Sequence, residues 1–306
     1  MGVGLVLILI TSLIFPGIVS VVKAKIAGRK GPRVMQHFYD IIRLMKKGNI
    51  YSRTTGFLFQ LAPIIYFSTL LTAVFFIPVG NYKALLSFEG DFVMFAYLMA
   101  SGRFIMIIAA MDTGSGFEGM GANREAFYSL LAEPVFFIIM GSIALHTGHN
   151  SFYDIFSNLY VESALTYFVS ALSVYLIFWV SMIENSRLPV DDPQTHLELT
   201  MVHEVMVLDH SGFELGLIQL AGGLKFAIFG SLIFNLVLPI QNSYFLQLTF
   251  FPIVQVIYAV LVAFVESFRA RNKMMRNAQW IITLSALSIV VFLTILIIHE
   301  KVGMLP

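Results

Sequence analysis

The sequence contains no cysteine. It therefore forms no disulfide and cannot hold an iron–sulfur cluster through thiolates, so any electron carrier that works with this chain belongs to another chain. Charged residues are also scarce: they make up 12% of the 306 positions, whereas hydrophobic residues make up 58% and the mean hydropathy is +0.83. A soluble core could not bury so much apolar surface. The composition predicts an all-α membrane protein that crosses the bilayer several times.

The apolar residues fall into runs that approach the roughly 20 residues a spanning helix needs. Eight such runs predict one membrane domain, residues 1–306, with about eight transmembrane helices and both termini on the same side. The first run has no basic n-region and no cleavage site, so we expect a retained helix rather than a signal peptide. The predicted spans are 3–22, 57–79, 92–111, 127–147, 163–183, 216–239, 245–267 and 279–298.

Lysine and arginine are distributed unevenly between the two sides of these spans. In the eight-helix arrangement, 15 of the 19 lie in the first, third, fifth and seventh connections. The positive-inside rule places those connections in the cytoplasm and both termini outside. We therefore expect a multi-pass protein of the cell (inner) membrane, with its basic and acidic loops on the cytoplasmic side.

The first connection, residues 24–53, combines a basic turn with a predicted amphipathic helix. The sequence AGRKGPR (27–33) places glycine and proline between cations, as in a turn. From Val34 to Gly48, apolar residues recur on one helical face while the charged residues lie elsewhere. Such a helix lies in the membrane interface, either as an anchor to anionic lipid or also as a docking platform for a peripheral subunit.

The third connection, residues 112–125, is rich in glycine, and we predict a closely packed cytoplasmic loop. Gly114, Gly116 and Gly119 formally match the pattern G-x-G-x-x-G. We reject a dinucleotide site because that motif follows a β-strand, whereas a membrane helix precedes it here. We expect Asn123 to cap the next helix.

The fifth connection, residues 184–215, is the most acidic part of the chain. It holds seven of the 18 acidic residues and three histidines, but only one cation, Arg187. Carboxylates crowded at a membrane edge are expected to have raised pKa values, which suits groups that exchange protons near neutral pH. The alternative is that they pair with arginines of a partner. The acids are Glu184, Asp191, Asp192, Glu198, Glu204, Asp209 and Glu214.

This loop contains metal-ligand residue types without a matching spacing. His203 and Glu204 are not followed by the second histidine that H-E-x-x-H requires. On a helix, His203 and His210 would be about 10 Å apart, which is too far for one zinc ion. No serine stands with a base and an orienting acid either. We therefore expect no metal site and no catalytic residue in this chain.

Four ionisable residues lie within or at the ends of predicted spans. Charges at the bilayer centre cost at least a few kcal/mol, so these side chains should face the bundle interior and form pairs. They are either static ion pairs or members of a proton or ion path, and we favour the path because structural pairs would not need so many members. The four are Arg103, Glu133, Lys225 and Glu266.

Three segments resemble one family in their sequence and order. They are AGRKGPRVMQHFYDIIRLMKKG after the first span, DTGSGFEGMGANREAFYSLLAEP before the fourth, and ENSRLPVDDPQTHLELTMVHEVMVLDHSG after the fifth. The chain resembles the membrane subunit that anchors the hydrophilic arm of respiratory complex I, which is subunit 1 of the mitochondrial complex. It is still more similar to formate hydrogenlyase subunit 4 and hydrogenase-4 component C, the equivalents in group 4 energy-converting NiFe-hydrogenases.

The resemblance implies a non-catalytic membrane subunit on which an iron–sulfur small subunit and a hydrogenase-like large subunit sit. Those partners would carry the iron–sulfur clusters and the NiFe centre, antiporter-like membrane subunits would lie beside the chain in the lipid bilayer, and no nucleic acid would bind. Electron transfer would be coupled to movement of protons or Na⁺. With the intramembrane charges added, the expected path comprises Glu133, Lys225, Glu184, Asp191, Asp192, Glu198, Glu204, Arg103, Glu125 and Glu266. The expected docking cations are Arg29, Arg33, Arg124 and Arg187.

Two other functions stay open. The chain could be the quinone-chamber subunit of an NADH–quinone oxidoreductase, in which the acidic loop roofs a quinone tunnel. Between Glu198 and Ser211, however, that loop departs from the complex I pattern, which argues against quinone binding. A stand-alone secondary transporter ranks last, because such proteins usually contain an inverted repeat and the two halves show no internal similarity.

Overall fold

The computed structural model describes residues 2–159, 164–192, 201–238 and 244–303, and over these ranges it is helical with one isolated β-bridge. Eight of the helices are long and apolar enough to cross a membrane, which confirms the predicted all-α polytopic fold. The helices are α1 (Gly2–Ile26), α2 (Gln36–Met45), α3 (Phe57–Val74), α4 (Asp91–Asp112), α5 (Gly116–Thr147), α6 (Phe152–Asn158), α7 (Ala164–Glu184), α8 (His203–Met206), α9 (Gly212–Val237), α10 (Tyr244–Phe268) and α11 (Met274–Gly303).

Helix α9 is the centre of the bundle. It contacts α1, α2, α3, α7 and α10, and it is buried along almost its whole length. Gly223 permits the close crossing with α1, because a Cβ atom there would lie 2.5 Å from the backbone oxygen of Ser12. Helices α10 and α11 instead leave many large apolar side chains exposed, as lipid-facing helices do. The central position of α9 brings Lys225 into the interior of the protein.

Helix α2 confirms the predicted amphipathic helix after the first span. It packs against α1 and α9, with Ile41 buried, while Arg43, Lys46 and Lys47 are exposed. The preceding turn, which contains Arg29 and Arg33, is exposed as well. We call this end of the bundle, where α1 ends and α9 begins, the basic end.

The glycine-rich segment 112–125 is not the loop that we predicted. Helix α5 begins at Gly116, so only residues 113–115 form a turn, and the expectation that Asn123 caps this helix is wrong. A glycine costs a helix about 1 kcal/mol relative to alanine, but Gly121 lets α5 pack closely beneath the acidic loop. A Cβ atom at Gly121 would lie 2.9 Å from the carbonyl oxygen of Val202. Tertiary packing therefore outweighs helix propensity in this segment.

The opposite end of the bundle is covered by residues 75–90 and by α6. The side-chain amide of Asn235, near the end of α9, donates a 2.7 Å hydrogen bond to the carbonyl oxygen of Pro78. Its oxygen accepts a 3.0 Å hydrogen bond from the backbone N–H of Gly80. These bonds hold the covering segment against α9.

Candidate functional site

A cavity of about 310 Å³ lies at the basic end, between α1, α2, α3 and α9 and beneath the acidic loop. The part of its wall formed by Pro16, Ile218 and Phe226 is apolar. The rest is densely charged, which is unusual beside membrane-spanning helices. The charged and titratable side chains of the lining are His37, Glu184, Arg187, Asp191, His203, Glu204 and Lys225.

Glu184, the last residue of α7, lies between two cations from other helices. Its carboxylate contacts the guanidinium of Arg103 on α4. The Nζ atom of Lys225 on α9 lies 3.8 Å from the same carboxylate and donates a 2.8 Å hydrogen bond to the backbone oxygen of Glu184. All three side chains are buried. The pairing expected of intramembrane charges is therefore observed, and it joins three separate spans.

Glu133 on α5 is the next charge beyond Arg103. Its Oε1 atom lies 3.5 Å from Nη1 of Arg103, and 39% of its side chain is exposed. It borders a small opening between α4, α5 and α7 that Glu184 and Arg103 also line. We call the sequence Lys225, Glu184, Arg103, Glu133 the charge line. It runs from the cavity sideways to the surface of the bundle.

Glu125 on α5 is buried beside the charge line. It lines a small cavity together with Arg103, Glu184 and Asp191. Within the described residues, its carboxylate has neither a hydrogen bond nor an ion-pair partner. An unpaired acid in this position can take up and release a proton, so Glu125 remains a candidate member of the predicted path.

Asp191 organises the acidic loop as well as facing the cavity. Its Oδ2 atom accepts hydrogen bonds from the backbone N–H groups of Val202, at 3.2 Å, and His203, at 3.0 Å. Its Oδ1 atom accepts a 2.9 Å hydrogen bond from Nη2 of Arg271, in the connection between α10 and α11. Asp191 thus holds α8 in place above the cavity.

Glu266 and Arg187, which the sequence assigned to different roles, contact each other. Nη1 of Arg187 lies 3.2 Å from Oε1 of Glu266, and Nζ of Lys23 lies 2.8 Å from Oε2. The Glu266 side chain is fully buried, and the guanidinium of Arg187 lies 4.8 Å from the ring centre of Phe226. These contacts join α1, α9, α10 and the acidic loop. The docking role of Arg187 stays a prediction, since its cation is already paired within the chain.

The other three docking cations differ in their surroundings. Arg29 and Arg33 are exposed on the basic end, as a docking role requires. Arg124 on α5 instead donates a 2.8 Å hydrogen bond to the carbonyl oxygen of Met201. Arg124 therefore helps to hold the acidic loop on α5.

The remaining predicted path residues lie in the acidic loop. Glu204, on α8, lines the cavity. Asp192 is half-buried, and its backbone N–H donates a 2.9 Å hydrogen bond to the carboxylate of Asp191. Glu198 lies outside the described residues. Among the residues that are described, no three His, Asp or Glu side chains form a group that could hold a metal ion.

Two polar residues of the basic end were missed in the sequence. His37 on α2 lines the cavity, and its spacing was the available signal, because it precedes the buried Ile41 by four residues and shares its helical face. Glu118, in the first turn of α5, is buried and accepts a 3.0 Å hydrogen bond from the backbone N–H of Asp209. Treating residues 112–125 as a loop concealed its position.

Burial lowers the pKa of His37, His203 and His210 below the ordinary histidine value of 6.5. The neighbouring cation Arg187 lowers the pKa of His37 further. For His203 the carboxylate of Glu204 acts in the opposite direction, but the effect of burial is larger. These three imidazoles are therefore neutral near pH 7, when each ring has one nitrogen that donates and one that accepts.

Known proteins are similar to this chain both in sequence and in fold. The chain is 28% identical to hydrogenase-4 component C of Escherichia coli (strain K12) over 299 residues, which cover 94% of each protein. It is 29% identical to formate hydrogenlyase subunit 4 of the same organism over 209 residues, 68% of this chain and 67% of that protein.

A chain in the solved structure of the membrane-bound sulfane sulfur reductase (MBS), an archaeal respiratory membrane complex, has the same fold. The TM-score is 0.81 at 19% identity, over 95% of this chain and 96% of that chain. These findings confirm the resemblance seen in the three sequence segments. Residues 1–297 match the family described as NADH dehydrogenase, and this chain therefore belongs to that family.

Proposed function

We propose that this chain is the membrane-anchoring, ion-translocating subunit of a complex I-like energy-converting hydrogenase of the formate hydrogenlyase or hydrogenase-4 type. It docks an arm made of an iron–sulfur small subunit and a hydrogenase-like large subunit, and it couples electron transfer there to movement of protons or Na⁺. The clusters and the NiFe centre belong to the arm, because this chain has no cysteine for either.

The charge line is the observation that carries this proposal. It starts in a cavity roofed by the acidic loop, where the arm would sit, and it reaches Glu133 on the side of the bundle. When the arm is reduced, negative charge added near the cavity favours uptake of a proton into the cavity. Reoxidation releases that proton, and Glu184 and Arg103 connect its position to Glu133.

The exposure of Glu133 supports a membrane partner beside this chain. A carboxylate on a spanning helix is costly against lipid, and such groups normally face protein or a water-filled space. Since 39% of the Glu133 side chain is exposed, the face formed by α4 and α5 is suited to a polar neighbour. An antiporter-like membrane subunit on this face would receive the ion that the charge line delivers.

The substitution Glu133→Gln tests this function. In inverted membrane vesicles containing the assembled complex, turnover-linked proton uptake should be abolished, because the neutral amide cannot carry a proton. Glu89→Gln is the matched control, since Glu89 is exposed at the opposite end. Undiminished transport in an assembled Glu133→Gln complex would contradict the proposal. Repeating the assay with Na⁺ varied identifies the ion.

Docking of the arm is tested by the double substitution Arg29→Ala with Arg33→Ala. Both side chains are exposed on the basic end, so their loss should release the arm when membranes are washed in moderate salt. Lys83→Ala is the control, because Lys83 lies over the ring of Tyr153 at the opposite end. A full-size complex after the wash would show that the two arginines contact lipid instead.

The apolar part of the cavity wall favours a second candidate, the quinone-chamber subunit of an NADH–quinone oxidoreductase. Pro16, Ile218 and Phe226 give the cavity both an apolar and a charged side, as an amphipathic quinone requires. Purification of the native complex in mild detergent separates the two functions. A nickel-containing large subunit supports the hydrogenase type, and a flavin-containing module with quinone reductase activity supports the alternative.

A further inference from the structure

Two histidines in the cavity have no part in the charge line. His37 reaches the cavity from α2, which packs against α1 and α9, and His203 reaches it from α8 in the acidic loop. Both side chains are half-buried. Two separate elements therefore bring imidazoles to the same space as the carboxylates of Glu184, Asp191 and Glu204.

Neither imidazole has a fixed partner. Within the described residues, no group forms a hydrogen bond with the ring of His37 or His203. His210 differs, because its Nδ1 atom lies 3.1 Å from Glu214 and its ring stacks on Phe59 at 3.9 Å between ring centres. The ring of His210 is held by packing, whereas the two cavity imidazoles have no such contact among the residues described.

The cavity has room for the water that would connect these groups. A volume of about 310 Å³ accommodates on the order of ten water molecules when the lining offers polar partners. Water in this space can bridge an imidazole nitrogen to a carboxylate several ångströms away. The lining thus permits proton transfer without direct contact between side chains.

Burial keeps both cavity imidazoles neutral near pH 7, and charges of both signs surround them. His37 faces Arg187 of the acidic loop and Asp40 of its own helix. His203 faces Arg187 and Asp191 of the loop, Lys225 of α9 and its neighbour Glu204. Because partial burial and the nearby cations disfavour a charged ring, a proton taken up by either ring is readily passed on.

We propose that His37 and His203 are the proton-transfer groups that load the charge line from cavity water, an inference that rests on the proposed function. Each ring accepts a proton from water at one nitrogen and releases the proton of its other nitrogen, through water, toward Glu204 or Glu184. The ring regains its first tautomer before the next transfer. Each cycle takes up one proton and delivers one, so no other reactant is consumed.

The assembled complex in inverted vesicles tests this assignment. The double variant His37→Gln with His203→Gln should slow turnover-linked proton uptake by about tenfold or more, since a positioned acid–base group contributes at least that much, and each single variant should slow uptake by less, because the other ring remains. His149→Gln is the matched control, because His149 is exposed at the opposite end. Normal uptake in the double variant, with uptake lost in Glu133→Gln, would overturn the histidine role and leave the proposed function intact. Normal uptake in Glu133→Gln would instead remove the proposed function itself.

Two further readouts separate proton transfer from a structural role. In His37→Ala and His203→Ala, millimolar imidazole should restore uptake toward the wild-type rate, whereas the same imidazole should not rescue Glu133→Gln. Because both histidines have pKa values below 6.5, wild-type uptake should be constant from about pH 8 to pH 6.5 and should fall in more acidic solution. The fall should be absent in the double glutamine variant. Absence of rescue together with an unchanged pH profile would contradict the proposal.

Discussion

The two ends of this bundle differ in how completely their buried polar groups are hydrogen-bonded. At the opposite end, the carboxylate of Asp91 accepts a 2.9 Å hydrogen bond from Ser151 and a 2.7 Å hydrogen bond from the backbone N–H of Phe152. At the basic end Asp191 and Glu266 are paired as well, but Glu125 and the cavity histidines have no such fixed partners among the described residues. Buried groups whose hydrogen bonds are all formed within the protein hold the structure in place. Buried groups without such partners, beside a cavity, can exchange protons. This contrast supports a path that begins in the cavity at the basic end and leaves the bundle at Glu133, without reaching the opposite end.

Of the substitutions that test this contrast, neutralising Glu184 should cause the largest loss of assembly and proton uptake. Glu184→Gln leaves Arg103 and Lys225 buried without their shared carboxylate, and breaking a buried pair in this way costs about 3–5 kcal/mol. We expect less assembled complex and no proton uptake from the remainder, measured as uptake per complex in vesicles. Glu184→Asp, which keeps the charge, should restore assembly.

At the opposite end, Asp91→Asn should lower thermal stability by about 1–3 kcal/mol without changing uptake per complex. Equal loss of uptake in both neutral variants would remove the distinction between the two ends.

Two adjacent glycines of α9, Gly222 and Gly223, differ in the space around them. A Cβ atom at Gly223 would lie 2.5 Å from the backbone oxygen of Ser12, whereas at Gly222, which lines the cavity, it would meet nothing within 4 Å. Gly223→Ala should therefore cost about 1–3 kcal/mol of stability through overpacking, and Gly222→Ala should assemble normally. Unfolding of the purified complexes in detergent measures both. Similar losses in the two variants would show that α1 and α9 do not cross as closely as described.

The smallest expected effect is the pH dependence contributed by His210. Its imidazole is buried beside Glu214 and Asp209, and burial lowers its pKa below 6.5 in the folded protein. The unfolded chain therefore binds a proton first as pH falls, so this stabilising contribution is present above pH 6.5 and is lost as pH falls through the lower folded pKa. Thermal unfolding between about pH 7.5 and pH 5 should show a smaller acid-induced loss in His210→Gln than in wild type. An identical loss in both would contradict a neutral buried His210.

The sequence was sufficient for the features that depend on composition and periodicity. The eight spans, α2 and the family resemblance follow from apolar runs, a helical stripe and three ordered segments. The intramembrane charges were also recognisable, because Arg103, Glu133 and Lys225 interrupt apolar runs. The pairing of these charges could not be predicted from the sequence. Partners such as Arg103 and Glu184 are 81 positions apart and meet only through tertiary packing.

Two other features depended on packing that one sequence does not reveal. Gly116 to Gly121 looked like a turn because glycine disfavours helices, yet the close approach of Val202 requires a small residue on a helix there. The place of His37 in the cavity depends on the packing of α2 against α9. Whether the basic end is cytoplasmic stays a prediction from the charge distribution.

Cysteine labelling tests most directly whether a hydrated cavity is confined to the basic end. The chain has no native cysteine, so Gln219→Cys in the cavity wall and Ser231→Cys on the same helix each give it a single thiol. The two positions are about 18 Å apart along α9, and Ser231 is fully buried. A small, charged thiol reagent added from the basic side should label the thiol at position 219 rapidly and leave position 231 unlabelled. Equal labelling at both positions, or no labelling at 219, would contradict the account.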